Sequence, residues 1–505
     1  MLRYFGPPGT GKTTTLLNEV ESCLTKGVSP NDIGYFAFTR KASYEARDRA
    51  VARFNLDPDK DFNYFRTLHS FAFLVLGLNA SDILSAKHLK EFGEKVGVDL
   101  STGSSASEED GFLVFKSDHP IMRCIDLAKN TLKGEDHAYN ASSLSYTLYE
   151  FKHVYREYEA FKKKNNLKDF TDMLLDLSNN PQYIPYLKVV FLDEAQDLTP
   201  LQWKIAHHLS EKSDRMFIAG DDDQGIYRWA GADINHFISL EGGSEVLNQS
   251  YRIPRSVYEV ADSVANRIRY RQKKKWYPRE EEGSVARLYD PWGINFNGGQ
   301  WLIKAQANYM LDSISSHLKN HGYFFERYNQ PSLGKKIRSA ITSWDYLNSG
   351  FNHEISYKEA KNLYDHMSPA SSRLSRGAKK SLKMAPEDQM FDLGILKKHY
   401  GLKAQGTWED VLDKINHDDR AYVLGLLRRG IDLNQKPKIK LSTIHGSKGG
   451  EADNVLLYMD LSGKALEEMA RNPDDAYRVL YVGVTRAKNN LILKMPEDAH
   501  RGWMI

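Results

Sequence analysis

The sequence has few cysteines, no long apolar run and almost no net charge. Its two cysteines, Cys23 and Cys124, are far apart and lie in no metal-ligand spacing, so neither a disulfide framework nor a zinc site is supported. The longest apolar run, FAFLVLGL at residues 71–78, is well short of the roughly 20 residues that a membrane helix needs. A net charge of +3 does not by itself indicate a nucleic-acid partner. We therefore expect a soluble protein of a reducing compartment with no membrane contact, and any nucleic-acid partner must be inferred from motifs.

The chain is long enough for several domains, with 505 residues of which 41% are hydrophobic. Two apolar runs, IGYFAF at residues 33–38 and KVVFLDE at residues 188–194, are typical of buried parallel strands, and helical patterns separate them. A second α/β region begins near Leu247, resumes at KIKLSTIHGSKGG (residues 438–450) and ends in NNLILKM (residues 489–495). The sequence thus predicts two α/β layers.

Each predicted α/β layer is interrupted by a more polar stretch. The first, residues 79–166, contains the serine-rich run STGSSASEED at residues 101–110, and the second is residues 330–436. We predict that both stretches are mainly helical insertions and that the serine-rich run is a mobile loop.

The segment GPPGTGKT at residues 6–13 has the spacing of a phosphate-binding loop. In such a loop, glycines let backbone N–H groups surround the phosphates, Lys12 reaches the β- and γ-phosphates, and Thr13 binds Mg²⁺. The alternative is a chance glycine turn. The strand-like sequence before it and the helical pattern after it favour the phosphate loop.

The apolar strand VVFLDE ends in two carboxylates. Asp193 is suited to binding Mg²⁺ and Glu194 to orienting and deprotonating a water molecule. An acidic pair in this position can instead cap the next helix. Together with the phosphate loop, the pair indicates hydrolysis of a nucleotide, with ATP and Mg²⁺ as the expected cofactors.

The strand extends to DEAQD at residues 193–197, and AGDDDQGIYRWAGA follows at residues 219–232. These motifs closely resemble those of the UvrD/Rep/PcrA family of superfamily 1 helicases. The other motifs of that family follow in its order: FAFTRKA (residues 36–42), FRTLHSF (65–71), LKDFTDML (167–174), LNQSYR (247–252), LSTIHGSKGGEADNV (441–455) and YRVLYVGVTRAK (477–488).

The resemblance implies an α/β fold with two RecA-like P-loop NTPase cores, each with a mainly helical insertion. The first core would comprise residues 1–78 and 167–246, with residues 79–166 as its insertion. The second core would comprise residues 247–329 and 437–505, with residues 330–436 as its insertion.

The resemblance also implies the residues of the ATP site. Gln224 would sense the γ-phosphate, Tyr251 would stack on adenine, and Glu451 would contact the ribose. Arg252 and Arg486 would stabilise charge on the transferred phosphoryl group. The expected catalytic residues are Lys12, Asp193, Glu194, Gln224, Arg252 and Arg486. The expected nucleotide-binding residues are Gly9, Thr10, Gly11, Lys12, Thr13, Thr14, Tyr251, Arg252, Glu451 and Arg486, with Thr13 and Asp193 as metal ligands.

A second set of residues matches positions that bind single-stranded DNA in the family. Aromatic rings of such a site stack on bases without sequence preference, and neighbouring polar groups contact the backbone. Each aromatic residue taken singly would more often belong to a core. The expected DNA-binding residues are Phe38, Thr39, Thr67, His69, Tyr227, Trp229 and His445.

Basic clusters leave two interpretations open. Arg267, Arg269, Arg271 and residues 273–275, interleaved with aromatic residues, form either a nucleic-acid face or a solvated helix end. Residues 162–164 and the series from Arg373 to Lys380 fit solvated surface better.

We expect an ATP-dependent DNA helicase that moves 3′ to 5′ on single-stranded DNA, binds single-strand/duplex junctions and acts as a monomer in a bacterial or host cytoplasm. The alternatives are a translocase that strips proteins from single strands and a nucleotide-gated binding switch. This chain departs from the family at three motif positions. Arg40 stands where the family has Asn, Ala230 where it has Arg, and Gly450 where it has Leu. The family's adenine-reading segment lies before the phosphate loop, which here begins at Gly6, so the motifs leave the preference between ATP and GTP open.

Overall fold

A computed structural model of the protein describes residues 1–37, 40–54, 56–57, 60–100, 105–109, 112–116, 119–350, 353–369 and 372–505. Contacts within the chain define two compact units. Unit 1 comprises residues 1–282 and 468–485, and unit 2 comprises residues 283–467 and 486–505. Among the helices of the described ranges, none combines the length and apolar character that crossing a bilayer requires.

The strands and helices are numbered in chain order. The strands are β1 Leu2–Phe5, β2 Ile33–Phe36, β3 Phe65–Arg66, β4 Ser105–Glu109, β5 Phe112–Lys116, β6 Leu187–Leu192, β7 Ser213–Gly220, β8 Gly243–Val246, β9 Ser284–Leu288, β10 Trp301–Ala305, β11 Phe325–Arg327, β12 Gln330–Pro331, β13 Ile355–Ser356, β14 Met390–Phe391, β15 Ile439–Thr443, β16 Ala452–Tyr458 and β17 Ala487–Lys494. The helices are α1 Lys12–Thr25, α2 Arg40–Phe54, α3 Leu68–Val75, α4 Ala86–Val96, α5 Pro120–Thr131, α6 Gly134–Ala141, α7 Leu148–Lys164, α8 Phe170–Asn179, α9 Pro200–Glu211, α10 Ile234–Ser239, α11 Arg255–Ala265, α12 Asp312–Asn320, α13 Lys335–Asn348, α14 Tyr357–Asp365, α15 Ala378–Lys383, α16 Leu393–His399, α17 Trp408–Val411, α18 His417–Arg428, α19 Gly463–Arg471 and α20 Pro473–Val484.

Unit 1 is built on a six-stranded parallel sheet with the strand order β3-β2-β6-β7-β1-β8. Alternate residues of the central strand β6 enter different cores. Val189 and Phe191 pack in a cluster with α1 and α2, whereas Val190 and Leu192 pack in a cluster with α3, α8 and α9. Helices therefore cover both faces, which explains why β6 is apolar at nearly every position. Because β1, β6 and β7 are parallel neighbours, their carboxyl ends lie side by side at one edge of the sheet.

Unit 2 contains a seven-stranded sheet with the order β12-β11-β15-β10-β16-β17-β9. Every strand pair in it is parallel except β11 with β12. Trp301, Ile303 and Ala305 of β10 form a core with Ile314 and Leu318 of α12. The two parallel sheets confirm the predicted α/β class.

The predicted apolar strands agree with the structure. The run at residues 33–38 contains β2, and the run at residues 188–194 overlaps β6. In unit 2, the segment at residues 438–450, where the α/β region was predicted to resume, contains β15, and the segment at residues 489–495 overlaps β17. Continuous apolar character was thus a sufficient signal for β2 and β6.

The serine-rich run was predicted wrongly as a loop at residues 105–109. These residues form β4, which pairs with β5 in an antiparallel hairpin from Ser105 opposite Lys116 to Glu109 opposite Phe112. The apolar sequence FLVFK forms the partner strand β5. The sequence of β4 alone does not indicate that such a partner exists. Asp110-Gly111 between the two strands, a residue pair favoured in hairpin turns, was the available sequence signal.

Two further hydrophobic cores lie outside the sheets. One is formed by residues between Leu84 and Leu167, mainly from α4 to α7. The other is formed by residues between Phe324 and Leu433, mainly from α13 to α18. The predicted division of the chain into two cores and two insertions stays a prediction, while contacts group residues 247–282 with unit 1.

Lys162 was predicted wrongly as solvated surface. Its ammonium lies 2.6 Å from Asp169 and 2.9 Å from Glu159, and Lys129 contacts the same two carboxylates at 2.8 and 2.7 Å. Asp172 completes the cluster, which connects α5 and α7 to the start of α8. A local run of three lysines does not show that its first member faces acids contributed by another helix.

Candidate nucleotide and single-strand sites

The predicted phosphate loop lies between β1 and α1, at the edge where the parallel strands end. Gly9 has a φ of +72°, in the left-handed region that favours glycine. Thr10 stabilises the loop because its Oγ1 hydroxyl donates a hydrogen bond to the carbonyl of Pro7 at 2.8 Å. Lys12 Nζ donates to the carbonyl of Gly6 at 3.0 Å. The loop thus has the strand–loop–helix context that the motif requires.

Residues 250–252 pack directly on this loop. Ser250 Oγ donates to the carbonyl of Pro8 at 2.7 Å, and the backbone N–H of Tyr251 donates to the carbonyl of Gly9 at 2.9 Å. A Cβ atom on Gly9 would lie 2.3 Å from Cβ of Arg252. The structure therefore brings the predicted Tyr251 and Arg252 next to the phosphate loop within unit 1, and Tyr251 remains exposed there.

Asp193 and Glu194 follow β6 at the same edge. Thr13 Oγ1 donates to Asp193 Oδ2 at 2.8 Å, and the hydroxyl of Tyr35 donates to the same oxygen at 2.9 Å. Glu194 has a φ of +54°, an uncommon conformation for a residue with a side chain. Such backbone strain is concentrated at functional sites.

The electrostatic environment of Asp193 fits a magnesium ligand. Burial, and then the charge of Glu194, raise the pKa of Asp193, while Thr13, Lys12 and Tyr35 lower it. A cation beside this carboxylate would offset that burial cost. The hydroxyl of Thr13 and the carboxylate of Asp193 are hard oxygen donors of the kind that Mg²⁺ takes. The residues present therefore fit a Mg²⁺ ion.

A hydrogen-bonded chain connects Glu194 to Gln224. Gln196 Nε2 donates to Glu194 Oε2 at 2.5 Å, and Gln196 Oε1 accepts from the backbone N–H of Asp221 at 2.8 Å. The side chain of Gln224 donates to Asp221 Oδ2 at 2.6 Å. Sequence reasoning missed Gln196 and Asp221, although both lie inside the two motifs that identified the family. The available sequence signal was the position of this amide and this carboxyl group shortly after the apolar runs of β6 and β7.

The acidic run at residues 221–223 is neutralised by residues that were predicted as a possible nucleic-acid face. Lys274 Nζ lies 2.8 Å from Asp221 and 2.8 Å from Asp223 and also contacts Asp222, and all four side chains are fully buried. Arg271 binds Asp223 through two nitrogens. Both interpretations, a nucleic-acid face and a solvated helix end, are therefore wrong for Arg271 and Lys274.

Charge pairing sets the ionisation of this cluster. Burial opposes the charge on Lys274, but the three carboxylates raise its pKa above the ordinary lysine value. Burial alone would raise the pKa of Asp221, but the charges of Lys274 and Lys12 lower it. Lys274 therefore holds Asp221, the carboxylate that binds Gln224, in its ionised form.

The predicted aromatic residues Tyr227 and Trp229 lie just beyond Gln224. Their ring centroids are 6.4 Å apart with an interplanar angle of 64°, and Trp229 is 59% exposed. Burial, and then the charges of Asp197 and Glu194, raise the pKa of Tyr227 to about 12. A cavity of about 160 Å³, lined in part by Tyr227, Ala230, Asn130 and His69, adjoins them. An exposed indole beside an aromatic-lined cavity suits stacking on a base.

Four further residues of unit 1 were predicted to bind DNA, and the structure describes two of them. Thr67 caps α3 by accepting a hydrogen bond from the N–H of Ser70 at 3.1 Å. His69 stacks on Phe170, with ring centroids 3.7 Å apart. Phe38 and Thr39 lie outside the described residues.

The other predicted residues belong to unit 2. His445 follows β15, Glu451 precedes β16, and Arg486 precedes β17. The carbonyl of Arg486 accepts a hydrogen bond from the N–H of Ala452 at 3.1 Å, and Glu451 pairs with Lys488 at 2.7 Å. In β10, Lys304 is fully buried, and burial and then the charge of Arg486 lower its pKa well below the ordinary lysine value.

Comparisons with known proteins agree with this arrangement. The UvrD/REP helicase N-terminal domain model matches residues 5–243, and the UvrD-like helicase C-terminal domain model matches residues 408–497. A probable DNA helicase II homolog of Mycoplasma genitalium is 24% identical over 579 residues, covering 96% of this chain and 81% of that protein. The ATP-dependent DNA helicase PcrA of Bacillus subtilis is 26% identical over 307 residues, covering 56% of this chain and 39% of PcrA. The ATP-dependent DNA helicase Rep of Buchnera aphidicola is 23% identical over 294 residues, covering 55% of this chain and 43% of Rep. The two matched domains and the geometry of the phosphate loop show that the chain belongs to the UvrD/Rep family of helicases.

Proposed function

We propose that this protein is an ATP-dependent DNA helicase that moves along single-stranded DNA in the 3′ to 5′ direction. The observation that supports it best is the hydrogen-bonded chain from Glu194 through Gln196 and Asp221 to Gln224. This chain begins at the predicted hydrolytic carboxylate and ends three residues before Tyr227. A change in the hydrogen bonding of Glu194 is thereby transmitted to the segment that contains the exposed Trp229.

Hydrolysis in this proposal uses the groups at the carboxyl edge of the unit 1 sheet. The N–H groups of the phosphate loop and Lys12 bind the phosphates of ATP. Thr13 and Asp193 hold Mg²⁺, which when bound offsets charge on the phosphates. Glu194 accepts a proton from the attacking water. Its bond to Gln196 fixes the carboxylate orientation before the nucleotide arrives.

The roles of the remaining residues come from the family resemblance. Tyr251 stacks on the adenine, and its exposure leaves the ring accessible. Arg252 and Arg486 contribute positive charge to the transferred phosphoryl group, and Glu451 contacts the ribose. His445 contacts the DNA backbone together with Thr67 and His69.

The decisive experiment compares ATP turnover with and without single-stranded DNA and unwinding of duplexes with 3′ or 5′ tails. We expect DNA to stimulate turnover and only the 3′-tailed duplex to be unwound. DNA-stimulated turnover without unwinding of either duplex would indicate a translocase instead of a helicase. ATP-dependent DNA binding with negligible turnover would indicate a binding switch, and unwinding of the 5′-tailed duplex alone would contradict the proposed direction.

Two variants test the site assignment directly. Lys12→Ala and Glu194→Gln should abolish ATP turnover and retain single-strand binding, because these side chains act on phosphate and water. Glu211→Gln is the matched control, since this carboxylate is 72% exposed at the end of α9. Turnover in Glu194→Gln at the level of the control would show that Glu194 is not the hydrolytic base.

A further inference from the structure

A pair of histidines on the surface of unit 1 lies outside both proposed sites. His207 is exposed near the end of α9, and His236 is half-buried in the first turn of α10. Their Nε2 atoms are 3.0 Å apart, and their rings are nearly perpendicular with centroids separated by 5.1 Å. Two imidazole nitrogens from different helices thus lie within hydrogen-bond distance of each other at a place that solvent can reach.

This separation fits two ligands of one transition-metal ion. Metal–imidazole bonds of about 2.0–2.1 Å that meet at a right angle place the two nitrogens about 3.0 Å apart. A tetrahedral angle would place them about 3.4 Å apart. The observed 3.0 Å therefore favours the square or octahedral coordination that Cu²⁺ and Ni²⁺ prefer.

We propose that His207 and His236 form a binding site for a divalent transition-metal ion of the Ni²⁺ or Cu²⁺ type. The two Nε2 atoms supply two adjacent coordination positions. Water occupies the others, since in the described ranges no third histidine, cysteine or carboxylate completes a three-ligand group with this pair. The site is consequently open and its ion exchangeable.

The surroundings of His236 favour the neutral ring that a metal requires. Burial, and then the neighbouring His207, lower the pKa of His236, whereas Asp233 raises it. Trp203 lies under the pair, with its ring centroid 4.8 Å from that of His236 and 6.5 Å from that of His207. This packing restricts how far either ring can move away from the other.

The two acidic clusters of the described residues are poorer candidates for a cation. Glu159, Asp169 and Asp172 enclose the ammonium groups of Lys129 and Lys162. The carboxylates of residues 221–223 enclose Lys274. Lysines already supply the positive charge in both places, whereas the histidine pair offers two imidazole nitrogens close to solvent.

A metal at this position would join two segments that follow functional motifs. Helix α9 comes directly after DEAQD, and α10 comes directly after the segment with Trp229. The N–H of Asp233 already donates to the carbonyl of Leu198 at 2.8 Å, which holds the two helix starts together. A bound ion would add a second cross-link farther along the helices and should raise the thermal unfolding temperature.

The test titrates the untagged 505-residue chain with NiCl₂ in a calorimeter at pH 8, without nucleotide or DNA. His207→Ala and His236→Ala are compared with the wild type. His317→Ala is the matched control, because His317 of α12 forms a different close histidine pair with His321, with ring centroids 4.1 Å apart. A Cu²⁺ titration followed by tryptophan fluorescence gives a second readout, since Cu²⁺ bound at this pair would quench Trp203, and the loss of this quenching in the His207→Ala and His236→Ala variants is compared with that in His317→Ala.

We expect each of His207→Ala and His236→Ala to weaken one Ni²⁺ site by about tenfold to a hundredfold, because each removes one arm of a chelate. The double variant should bind Ni²⁺ at this site more weakly than either single variant, because each single variant keeps one imidazole ligand, and His317→Ala should retain this site. The rise in unfolding temperature caused by Ni²⁺ at this site and the Cu²⁺ quenching of Trp203 should disappear when both histidines are replaced. Equal Ni²⁺ affinity and stoichiometry in the wild type and in His207→Ala would overturn the proposal and leave a hydrogen bond between the two rings.

Discussion

Replacing Lys274 by methionine should destabilise the protein more than any change at a neighbouring lysine. The substitution keeps the length of the side chain and removes its ammonium. In the wild type this ammonium contacts the carboxylates of residues 221–223, and the lysine and the three aspartates are fully buried. The variant would retain the carboxylates without their shared counterion.

The expected loss follows from what remains in the variant. Removing one partner of a buried ion pair typically costs about 3–5 kcal/mol, because the other charge stays buried and uncompensated. Arg271 still binds Asp223 through two nitrogens, so that one carboxylate keeps a partner. Asp221 and Asp222 lose the ammonium group that they both contact directly, and we expect a loss of about 3 kcal/mol at pH 8.

The pH dependence gives this prediction a definite sign. Without Lys274, the pKa of at least one of the aspartates should rise well above its unfolded value. The folded variant then binds more protons than the unfolded chain, so its stability increases as the pH falls. Between pH 8 and pH 6 the deficit should shrink by up to about 2.7 kcal/mol for one retained proton.

Urea unfolding followed by circular dichroism at both pH values measures the effect. Lys273→Met is the matched control, since Lys273 is the exposed neighbour of Lys274 and surface substitutions change stability by about 0.5 kcal/mol or less. Equal urea midpoints for the two variants at pH 8 would refute the reasoning. So would a deficit in Lys274→Met that does not shrink at pH 6.

Three further predictions concern other residues. Trp229→Ala should weaken single-strand binding by about 1–3 kcal/mol in a fluorescence titration. Trp292→Ala, which replaces an exposed tryptophan of unit 2, should not weaken it. Equal affinities of the two variants would place Trp229 outside the DNA site. Gln196→Ala should retain single-strand binding but lose DNA stimulation of ATP turnover, because it breaks the chain from Glu194; undiminished stimulation would exclude that route. Lys304→Met should raise the unfolding temperature at pH 7, since Lys304 Nζ is buried without a hydrogen-bond acceptor in the described residues. Its lowered pKa means that the folded wild type binds fewer protons, so the wild type should approach the variant as the pH rises toward 10, and a constant difference would contradict this.

The fold and the nucleotide site were largely predictable because their signals are local. A phosphate loop is a contiguous run, and the acids after β6 follow an apolar segment that stands out from its surroundings. Thr13 and Asp193 were assigned to one ion from these runs, and the structure places them in direct contact. The family motifs added Tyr251, which the structure brings to Gly9.

The parts that could not be predicted depend on partners distant in sequence. Lys162 and Lys274 look like surface lysines because their neighbours in the chain are also basic. Each is buried because acids from other segments surround it, and only the folded sheet and helices bring those acids together. Serine-rich β4 similarly depends on β5 for its conformation. Local composition is a poor guide wherever the decisive contact is non-local.

The packing of residues 250–252 on the phosphate loop matters for the design of recombinant fragments. The N-terminal domain match ends at residue 243, at the first residue of β8 and before Ser250. A fragment cut there would lose β8, the partner of β1 at the sheet edge, and the hydrogen bonds that residues 250 and 251 make to Pro8 and Gly9. A boundary after Glu282, where the first segment of unit 1 ends, would retain β8 and these hydrogen bonds.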